Sequence, residues 1–225
     1  MGRINFNNDN PGYGTKKSAI DGGRIAQTKY GSVFSQCLDD TISLMQGFIK
    51  NIQGGKFVEI GVLGGASLLY NHDLCRKNKI DIYGIDPFED INLFNGEKLE
   101  NTQTHMVNHA RTSALKRRLK LEKIITDHNL NITLIKNTSG ESAKMFDDNS
   151  ISILHIDGDH SYNGVKSDMN NFWSKMKSGG IIVNDDYTWG CCKRAIHEFI
   201  QIHKSEILES YEAINCISKH IIIKK

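Results

Sequence analysis

The chain has 225 residues, of which 39% are hydrophobic, and this is enough to bury a full core within a single domain. Its formal net charge of +2 gives no electrostatic reason to expect nucleic acid as a partner, and no apolar run approaches the length that spans a membrane. Five cysteines without framework spacing, in a chain whose amino terminus lacks a secretory signal, predict reduced thiols and a cytoplasmic location.

The elements are predicted from the spacing of apolar residues along the chain. Residues 1–30 show little periodicity, so we expect a flexible arm or a lid there. Helices are predicted at residues 33–52, from 67, at 106–124, 142–146, 165–176 and 191–203. Strands are predicted at residues 57–60, 80–85, 132–135, 153–156 and 181–184, and a two-stranded hairpin at 211–223.

Strands that alternate with helices indicate an α/β fold with a doubly wound, mostly parallel sheet and helices on both faces. No internal repeat, low-complexity tract or interdomain linker interrupts the sequence. The prediction is therefore one domain over residues 1–225.

A glycine loop, EIGVLGG at residues 59–65, joins the first predicted strand to the helix after it. Glycines let a backbone approach a ligand closely, and the amino end of a helix favours negative charge. Asp86 follows the next strand, where a carboxylate can accept ribose hydroxyls. The glycine spacing departs from the dinucleotide fingerprint, and a phosphate-binding Gly-Lys-Ser/Thr loop is absent from the sequence. Nucleoside binding is favoured over a turn without a ligand.

The same residues resemble the E/D-x-G-x-x-x-G motif of class I S-adenosylmethionine-dependent methyltransferases. The resemblance covers about residues 55–190 and implies a seven-stranded, Rossmann-like methyltransferase fold with an antiparallel carboxyl-terminal strand. It implies S-adenosylmethionine as cofactor, with the glycine loop against the methionine part, Asp86 on the ribose, and Thr138 and Ser139 near adenine. The cofactor-binding residues expected on this basis are Glu59, Gly61, Gly64, Gly65, Ser67, Asp86, Thr138, Ser139 and Asp157.

Two acidic clusters each follow an apolar run. The first is IDGDHSY at residues 156–162, and the second is NDDY at residues 184–187. Because the carboxyl ends of neighbouring parallel strands meet at one edge of a sheet, these carboxylates are expected to converge there. Several carboxylates with a histidine favour a hard divalent cation with a base beside it.

Two other interpretations explain these acids less well. An EF-hand needs glycine at the sixth position of its loop, where this chain has Tyr162, and a preceding helix instead of an apolar strand. Capping of the next helix by Asp159 or Ser161 is expected, but it leaves the remaining aspartates unexplained.

Residues 153–187 resemble the metal-dependent small-molecule O-methyltransferases, above all bacterial enzymes that act on macrolide sugars and aminocoumarins. The resemblance implies that Asp157, Asp185 and Asp186 bind Mg²⁺ or another divalent cation. His160 falls at the position of the proposed general base, and Asp159 either orients it or serves as base itself. The implied reaction transfers methyl to a hydroxyl of a sugar, a glycan or a glycosylated small molecule.

The chemistry follows from the residue types. A sugar hydroxyl is a poor nucleophile at neutral pH because its proton is held tightly. Coordination to a divalent cation lowers that pKa, and a histidine can accept the proton. The alkoxide then attacks the sulfonium methyl in line, and positioning of the two substrates supplies much of the acceleration.

Three alternatives remain open. A catechol-type O-methyltransferase would use the same cation on an aromatic acceptor, although His160 stands where caffeoyl-CoA enzymes carry lysine. An N-methyltransferase or an RNA methyltransferase is disfavoured by the absent Asn/Asp-Pro-Pro-Tyr motif and by the low net charge. A non-catalytic nucleoside- or metal-binding subunit would not need the base. A homo-oligomer is also left open.

The remaining features have plainer interpretations. The basic residues of segment 111–123 are expected to form a solvated helix face, or else to contact an acidic or phosphorylated acceptor. His155 is interpreted as a packing residue of the core. Tyr187 and Trp189 are expected to wall the acceptor pocket, and residues 13–32 to close over the cofactor.

Overall fold

The structure is a computed structural model that describes residues 24–35, 39–88, 101–214, 216 and 218–225. Residues 1–23 of the expected arm or lid, which include Tyr13, therefore lie outside the described residues, and so does Cys37. The strands are β1 (Arg24–Thr28), β2 (Gly31–Ser35), β3 (Lys56–Ile60), β4 (Asp81–Ile85), β5 (Ile132–Ile135), β6 (Ile151–Ile156), β7 (Met176–Asn184), β8 (Ile207–Glu212) and β9 (His220–Lys224). The helices are α1 (Asp39–Ile49), α2 (Ala66–Lys77), α3 (Asn101–Asp127), α4 (Ser139–Ala143), α5 (Tyr162–Trp173) and α6 (Gly190–Ile202).

One sheet contains seven of the strands, in the order β5-β4-β3-β6-β7-β9-β8. The strands from β5 to β7 run parallel, and β9 pairs antiparallel with both β7 and β8. The strand order reverses between β3 and β6, and open α/β sheets bind ligands beside the strand ends at such a switch point. The predicted doubly wound, mostly parallel sheet with an antiparallel carboxyl-terminal strand is confirmed.

Both faces of the sheet are covered by apolar layers. Phe57 and Ile153 belong to the layer that includes residues of α1, α2 and α3. Val58 and Leu154, their neighbours in sequence, belong to the layer that includes residues of α5 and α6. Successive side chains of a strand point to opposite faces, so strands covered on both sides appear in the sequence as continuous apolar runs.

The amino-terminal part of the described chain differs from the prediction. The helix expected over residues 33–52 begins only at Asp39, and residues 31–35 form the second strand of a hairpin with β1. Asp39 and Asp40 lie in the first helical turn, where negative charge is stabilised. Lys29 and Tyr30, expected near the cofactor, both contact Asp73 of α2, so these side chains anchor the hairpin.

Three other boundaries also moved. The short helix α4 starts earlier than predicted because Thr138 caps its amino end. The strand predicted at residues 181–184 begins earlier, at Met176, and the pairing of β7 with β6 shifts register before Ile181, so Gly179 and Gly180 form a bulge. The predicted tail hairpin begins at Ile207, earlier than residue 211. Within the described residues, no helix combines the length and the apolar character that crossing a membrane requires.

Candidate active site

Four parallel strands end in register and set out the candidate site as a row. The backbone amide of the first residue after each strand donates to the last carbonyl of the neighbouring strand. These bonds are Asp86 N to Ile135 O at 3.1 Å, and Gly61 N to Ile85 O, Asp157 N to Ile60 O and Asp185 N to Ile156 O at 2.9 Å each. The glycine loop and three predicted acids are thereby fixed side by side.

The glycines of the loop are required by close contacts with the protein itself. A Cβ atom on Gly61 would lie 2.0 Å from the carbonyl oxygen of Asp157, and one on Gly64 would lie 2.0 Å from that of Phe34. Gly65 has φ 78° and precedes α2, and a Cβ there would meet Leu121 of α3 at 2.4 Å. The loop therefore packs closely against the end of β6 and against the hairpin. Its contact with a cofactor stays a prediction.

Glu59 and Ser67 form a buried pair beneath this loop. Both side chains are almost fully buried, and Ser67 Oγ donates to Glu59 Oε1 at 2.5 Å. Because Ser67 lies in the first turn of α2, the bond ties the strand before the loop to the helix after it. In this geometry Glu59 supports the loop from beneath, and its expected part in cofactor binding stays a prediction.

Asp86 also holds the glycine loop. Its Oδ2 accepts hydrogen bonds from the amides of Val62 at 3.0 Å and Leu63 at 3.1 Å, and its Oδ1 accepts one from Phe88 at 2.7 Å. A carboxylate can accept about four hydrogen bonds. Room remains for about one further donor, such as a single ribose hydroxyl.

Thr138 and Ser139, the residues expected near adenine, follow β5 at the edge of the row. Thr138 Oγ1 accepts from Glu141 N at 3.3 Å and so caps α4, while Ser139 Oγ donates to Asp168 of α5. Their bonds shape the loop after β5, and their contact with adenine stays a prediction.

The acidic residues form two groups that share Asp157. His155, Asp157 and Asp185 bring ligand atoms within 4.8 Å of one another, and so do Asp157, His160 and Asp186. The predicted metal ligands are thus divided between two adjoining groups, one buried and one partly open. Carboxylate oxygens and imidazole nitrogens are a donor set that suits a divalent cation.

His160 bridges the two carboxylates of the more open group. Its Nδ1 lies 2.8 Å from Asp186 Oδ2, and its Nε2 lies 3.4 Å from Asp157 Oδ1. Asp157 and Asp186 outweigh burial and raise the pKa of His160 to about 10. Asp186 adopts φ 50°, an uncommon backbone for a residue with a side chain, and such conformations cluster at functional sites.

The loop that carries His160 is held from three sides. The thiols of Cys191 and Cys192 donate to its carbonyl oxygen at 3.1 and 3.2 Å. The indole of Trp189, which is 54% exposed, meets the imidazole edge to face at 5.5 Å. Trp189 therefore adjoins the site as expected, and the two cysteines also position the loop.

Asp159 builds the turn that leads into α5. Its two carboxylate oxygens accept from the amide and the hydroxyl of Ser161 at 2.9 and 3.0 Å. Ser161 in turn accepts from Gly164 N at 3.0 Å and caps the helix. The expected capping is present, and the described hydrogen bonds of Asp159 run to this turn.

His155 lies in the core as expected, and it also lies between two carboxylates. It is fully buried, as a core residue would be, but its Nδ1 lies 3.8 Å from Glu59 Oε1 and its Nε2 lies 3.8 Å from Asp185 Oδ2. Burial alone would lower the pKa of His155, but the two carboxylates raise it to about 10. The imidazole thus lies between two acids, whose charges oppose the effect of burial on its pKa.

Lys219 is a functional candidate that the sequence did not reveal. Its ammonium donates to Asp185 Oδ1, and the two side chains are only 4% and 12% exposed. Although burial alone would raise the pKa of Asp185, His155 and Lys219 hold it below its ordinary value. Lys219 precedes β9, and the pairing of Asn184 with His220 brings it beside the site.

Tyr187 is the one predicted pocket residue that lies in the core. It is 5% exposed, and its hydroxyl pairs with His197 Nε2 at 2.8 Å. The expectation that it walls the acceptor pocket is wrong because its backbone is tied to Ser218, which turns the ring under α6.

The sheet order, the glycine loop and the acid after β4 define the fold of class I S-adenosylmethionine-dependent methyltransferases. Residues 58–187 match the family described as a methyltransferase domain, which is more than half of the chain. The chain belongs to this methyltransferase-domain family.

Known proteins resemble the chain at the level of the fold. The O-methyltransferase NovP aligns with a TM-score of 0.66 and 17% identity over 85% of this chain and 82% of its own. The TDP-rhamnose 3'-O-methyltransferase CalS11 aligns with a TM-score of 0.51 and 11% identity over 81% of this chain and 76% of its own. The Podospora anserina methyltransferase PaMTH1, solved bound to SAH, aligns with a TM-score of 0.57 and 13% identity over 82% of this chain and 77% of its own.

A viral relative is closer in sequence. The uncharacterized protein R132 of Acanthamoeba polyphaga mimivirus is 33% identical over 137 residues, which are 58% of this chain and 51% of that protein. The chain thus spans about half the length of this curated relative.

The buried Lys219–Asp185 pair generates a stability prediction. We expect Lys219→Met to lower the free energy of unfolding by about 3–5 kcal/mol, because Asp185 would keep a buried charge without this partner. Urea denaturation measures the change, with the exposed Lys204→Met as control. The double variant Asp185→Asn/Lys219→Met should recover much of the loss. Equal stability of Lys219→Met and the control would contradict this account of the pair.

Proposed function

We propose that the protein transfers the methyl group of S-adenosylmethionine to a hydroxyl of a sugar, a glycan or a glycosylated small molecule, with the help of Mg²⁺ or another divalent cation. One observation carries the proposal. His160 lies between Asp157 and Asp186, and Asp157 lies directly against Gly61 of the glycine loop. A base, two carboxylates and the predicted cofactor loop therefore adjoin one another.

Asp157 and Asp186 would hold the cation, and Asp185 would support them from the buried side. Burial and the charge of Asp185 raise the pKa of Asp157 although His160 opposes this, which indicates uncompensated negative charge. A bound divalent cation would supply Lewis acidity toward the acceptor hydroxyl and compensate the carboxylate charge that raises the pKa of His160.

The hydrogen bonds of His160 select the nitrogen that takes the proton. Nδ1 is the nitrogen nearer to a carboxylate, 2.8 Å from Asp186, and this contact favours a hydrogen on Nδ1. Nε2 lies 3.4 Å from Asp157 Oδ1 and makes no hydrogen bond within the described residues. In the neutral imidazole, Nε2 is then the acceptor for the proton of the substrate hydroxyl.

The reaction that follows is a balanced displacement. The acceptor oxygen gives its proton to His160 Nε2 and attacks the methyl carbon of S-adenosylmethionine. A carbon–oxygen bond forms as the carbon–sulfur bond breaks, and the sulfur leaves as the neutral thioether of S-adenosylhomocysteine. The row of strand ends holds the cofactor loop and the acids in fixed relation, which favours in-line attack.

The similar proteins support a hydroxyl acceptor. NovP is named as an O-methyltransferase and CalS11 as a TDP-rhamnose 3'-O-methyltransferase. Trp189 beside His160 offers an exposed aromatic face, which could pack against a sugar ring or against a phenol. A catechol-type acceptor is therefore the second candidate, and transfer of labelled methyl to matched glycosides and catechols separates the two.

Cation removal tests the metal part of the proposal. We expect EDTA to abolish methyl transfer and Mg²⁺ to restore it. Asp186→Asn should weaken Mn²⁺ binding at least about tenfold, as measured by titration calorimetry, because the amide removes a charged oxygen. Asp148→Asn, on an exposed carboxylate, is the matched control. Full turnover in EDTA would refute the metal-dependent reaction.

Loss of the base should slow the chemical step alone. We expect His160→Gln to lower kcat by about 10²–10⁴-fold, because the variant lacks the ring nitrogen that accepts the proton of the substrate hydroxyl. Single-turnover kinetics measure this step, and calorimetry should show binding of S-adenosylmethionine unchanged. The exposed His128→Gln serves as control. A wild-type kcat in His160→Gln would show that another group is the base.

A further inference from the structure

A small cavity adjoins the glycine loop. It has a volume of about 180 Å³ and lies between the β1–β2 hairpin, the loop and α3. Its apolar part is formed by the hairpin, through Ile25, Val33 and Phe34. Lys116, Arg117 and Lys120 of α3 also line the cavity, mainly through the apolar stems of their side chains. Gly64 completes the lining, so the cavity is open to a ligand that also contacts the loop.

The basic residues at this cavity lack the partners that neighbouring cations on α3 possess. Arg118 pairs with Glu122 at 3.1 Å, and Lys123 pairs with Asp127 at 2.7 Å. In the described part of the chain, the three cavity cations form no such ion pair, and Arg117 Nε is shielded from water without a hydrogen-bond partner. Lys116 and Lys120 are like charges one helical turn apart, a spacing that destabilises a helix.

Arg117 is held in a fixed position within this group. Its guanidinium carbon lies 5.3 Å from the centre of the Phe34 ring, a distance at which a cation is attracted to an aromatic face. Arginine presents a planar fork of donors that matches phosphate oxygens. An oriented guanidinium between two lysines is an arrangement that suits a multiply charged anion.

A multiply charged anion fits this charge pattern better than the cofactor does. S-adenosylmethionine carries one carboxylate beside a sulfonium and an ammonium, whereas three cations match the charge of a phosphate or diphosphate. Such an anion would belong to the other substrate. Gly61 lies against Asp157 and Gly64 lines the cavity. Three residues of chain span at most about 10 Å, so one phosphorylated sugar can reach both places.

We propose that Lys116, Arg117 and Lys120 bind the phosphate or diphosphate group of the acceptor, with the apolar hairpin residues packing against the part next to it. The acceptor is then a phosphorylated or nucleotide-linked sugar. This inference rests on the proposed function for the identity of the ligand as the acceptor, while the anion site itself rests on the cavity and on three cations that form no ion pair within the described residues.

Calorimetry with inorganic pyrophosphate tests the anion site directly, in EDTA so that no cation complexes the probe. The triple variant Lys116→Gln/Arg117→Gln/Lys120→Gln should bind pyrophosphate at least tenfold more weakly than the wild type. The control Lys123→Gln/Lys144→Gln/Lys204→Gln removes the same charge from exposed sites and should bind as the wild type does. Equal loss in both variants, or no loss in either, overturns the site.

Kinetics then test the acceptor. In the triple variant, KM for a sugar phosphate should rise at least tenfold, while KM for the same sugar without phosphate and the affinity for S-adenosylmethionine stay constant. Weakened S-adenosylmethionine binding with unchanged pyrophosphate binding would overturn the proposal in favour of a cofactor subsite. If no acceptor is methylated but pyrophosphate binding is lost only in the triple variant, the anion site stands and the proposed methyl transfer fails.

Discussion

The common register of four parallel strand ends is the constraint on which the site depends. The amide of the first residue after each strand donates to the last carbonyl of the neighbouring strand. These bonds fix Asp86, Gly61, Asp157 and Asp185 in a row. Residues far apart in sequence thereby meet at the switch point of the sheet. The same geometry concentrates negative charge where little water can reach it, and that charge must be compensated.

The protein compensates this charge only in part. Glu59 and Asp185 face His155, and Asp185 also receives Lys219. Asp157 and Asp186 share His160. When His160 is neutral, as a base must be, four carboxyl groups face the cations of His155 and Lys219, and a divalent ion would balance the remainder. The charge pattern of the site and the proposed role of His160 thus both point to a bound divalent cation.

Much of this arrangement was predictable because it follows from local patterns. Apolar runs that end in aspartates indicate parallel strands with converging ends, and the convergence of Asp157, His160 and Asp186 follows from that topology. Lys219 was not predictable, since its place depends on the register of an antiparallel tail. His155 looked like a core residue because burial and an apolar neighbourhood are all that its sequence context shows.

Other differences depend on contacts that form only in the folded chain. Val33 and Phe34 fit both a helical and a strand period, so only their pairing with β1 decides the conformation. The glycine loop suggested ligand contact, yet the close approaches of Gly61 and Gly64 show that packing alone requires glycine there. The ion pairs of α3 could be anticipated from spacing, but the cavity beside Lys116, Arg117 and Lys120 appears only in the fold.

The central claim is that the cofactor and the cation occupy adjoining parts of one site. Carbon-13 relaxation of S-adenosylmethionine labelled at its methyl group measures this directly when Mn²⁺ is bound. The account predicts strong paramagnetic relaxation of the methyl carbon in the wild-type protein, and none when Mg²⁺ replaces Mn²⁺. If both Mn²⁺ and the cofactor bind but the methyl carbon relaxes as it does with Mg²⁺, the two sites are separate and the account is contradicted.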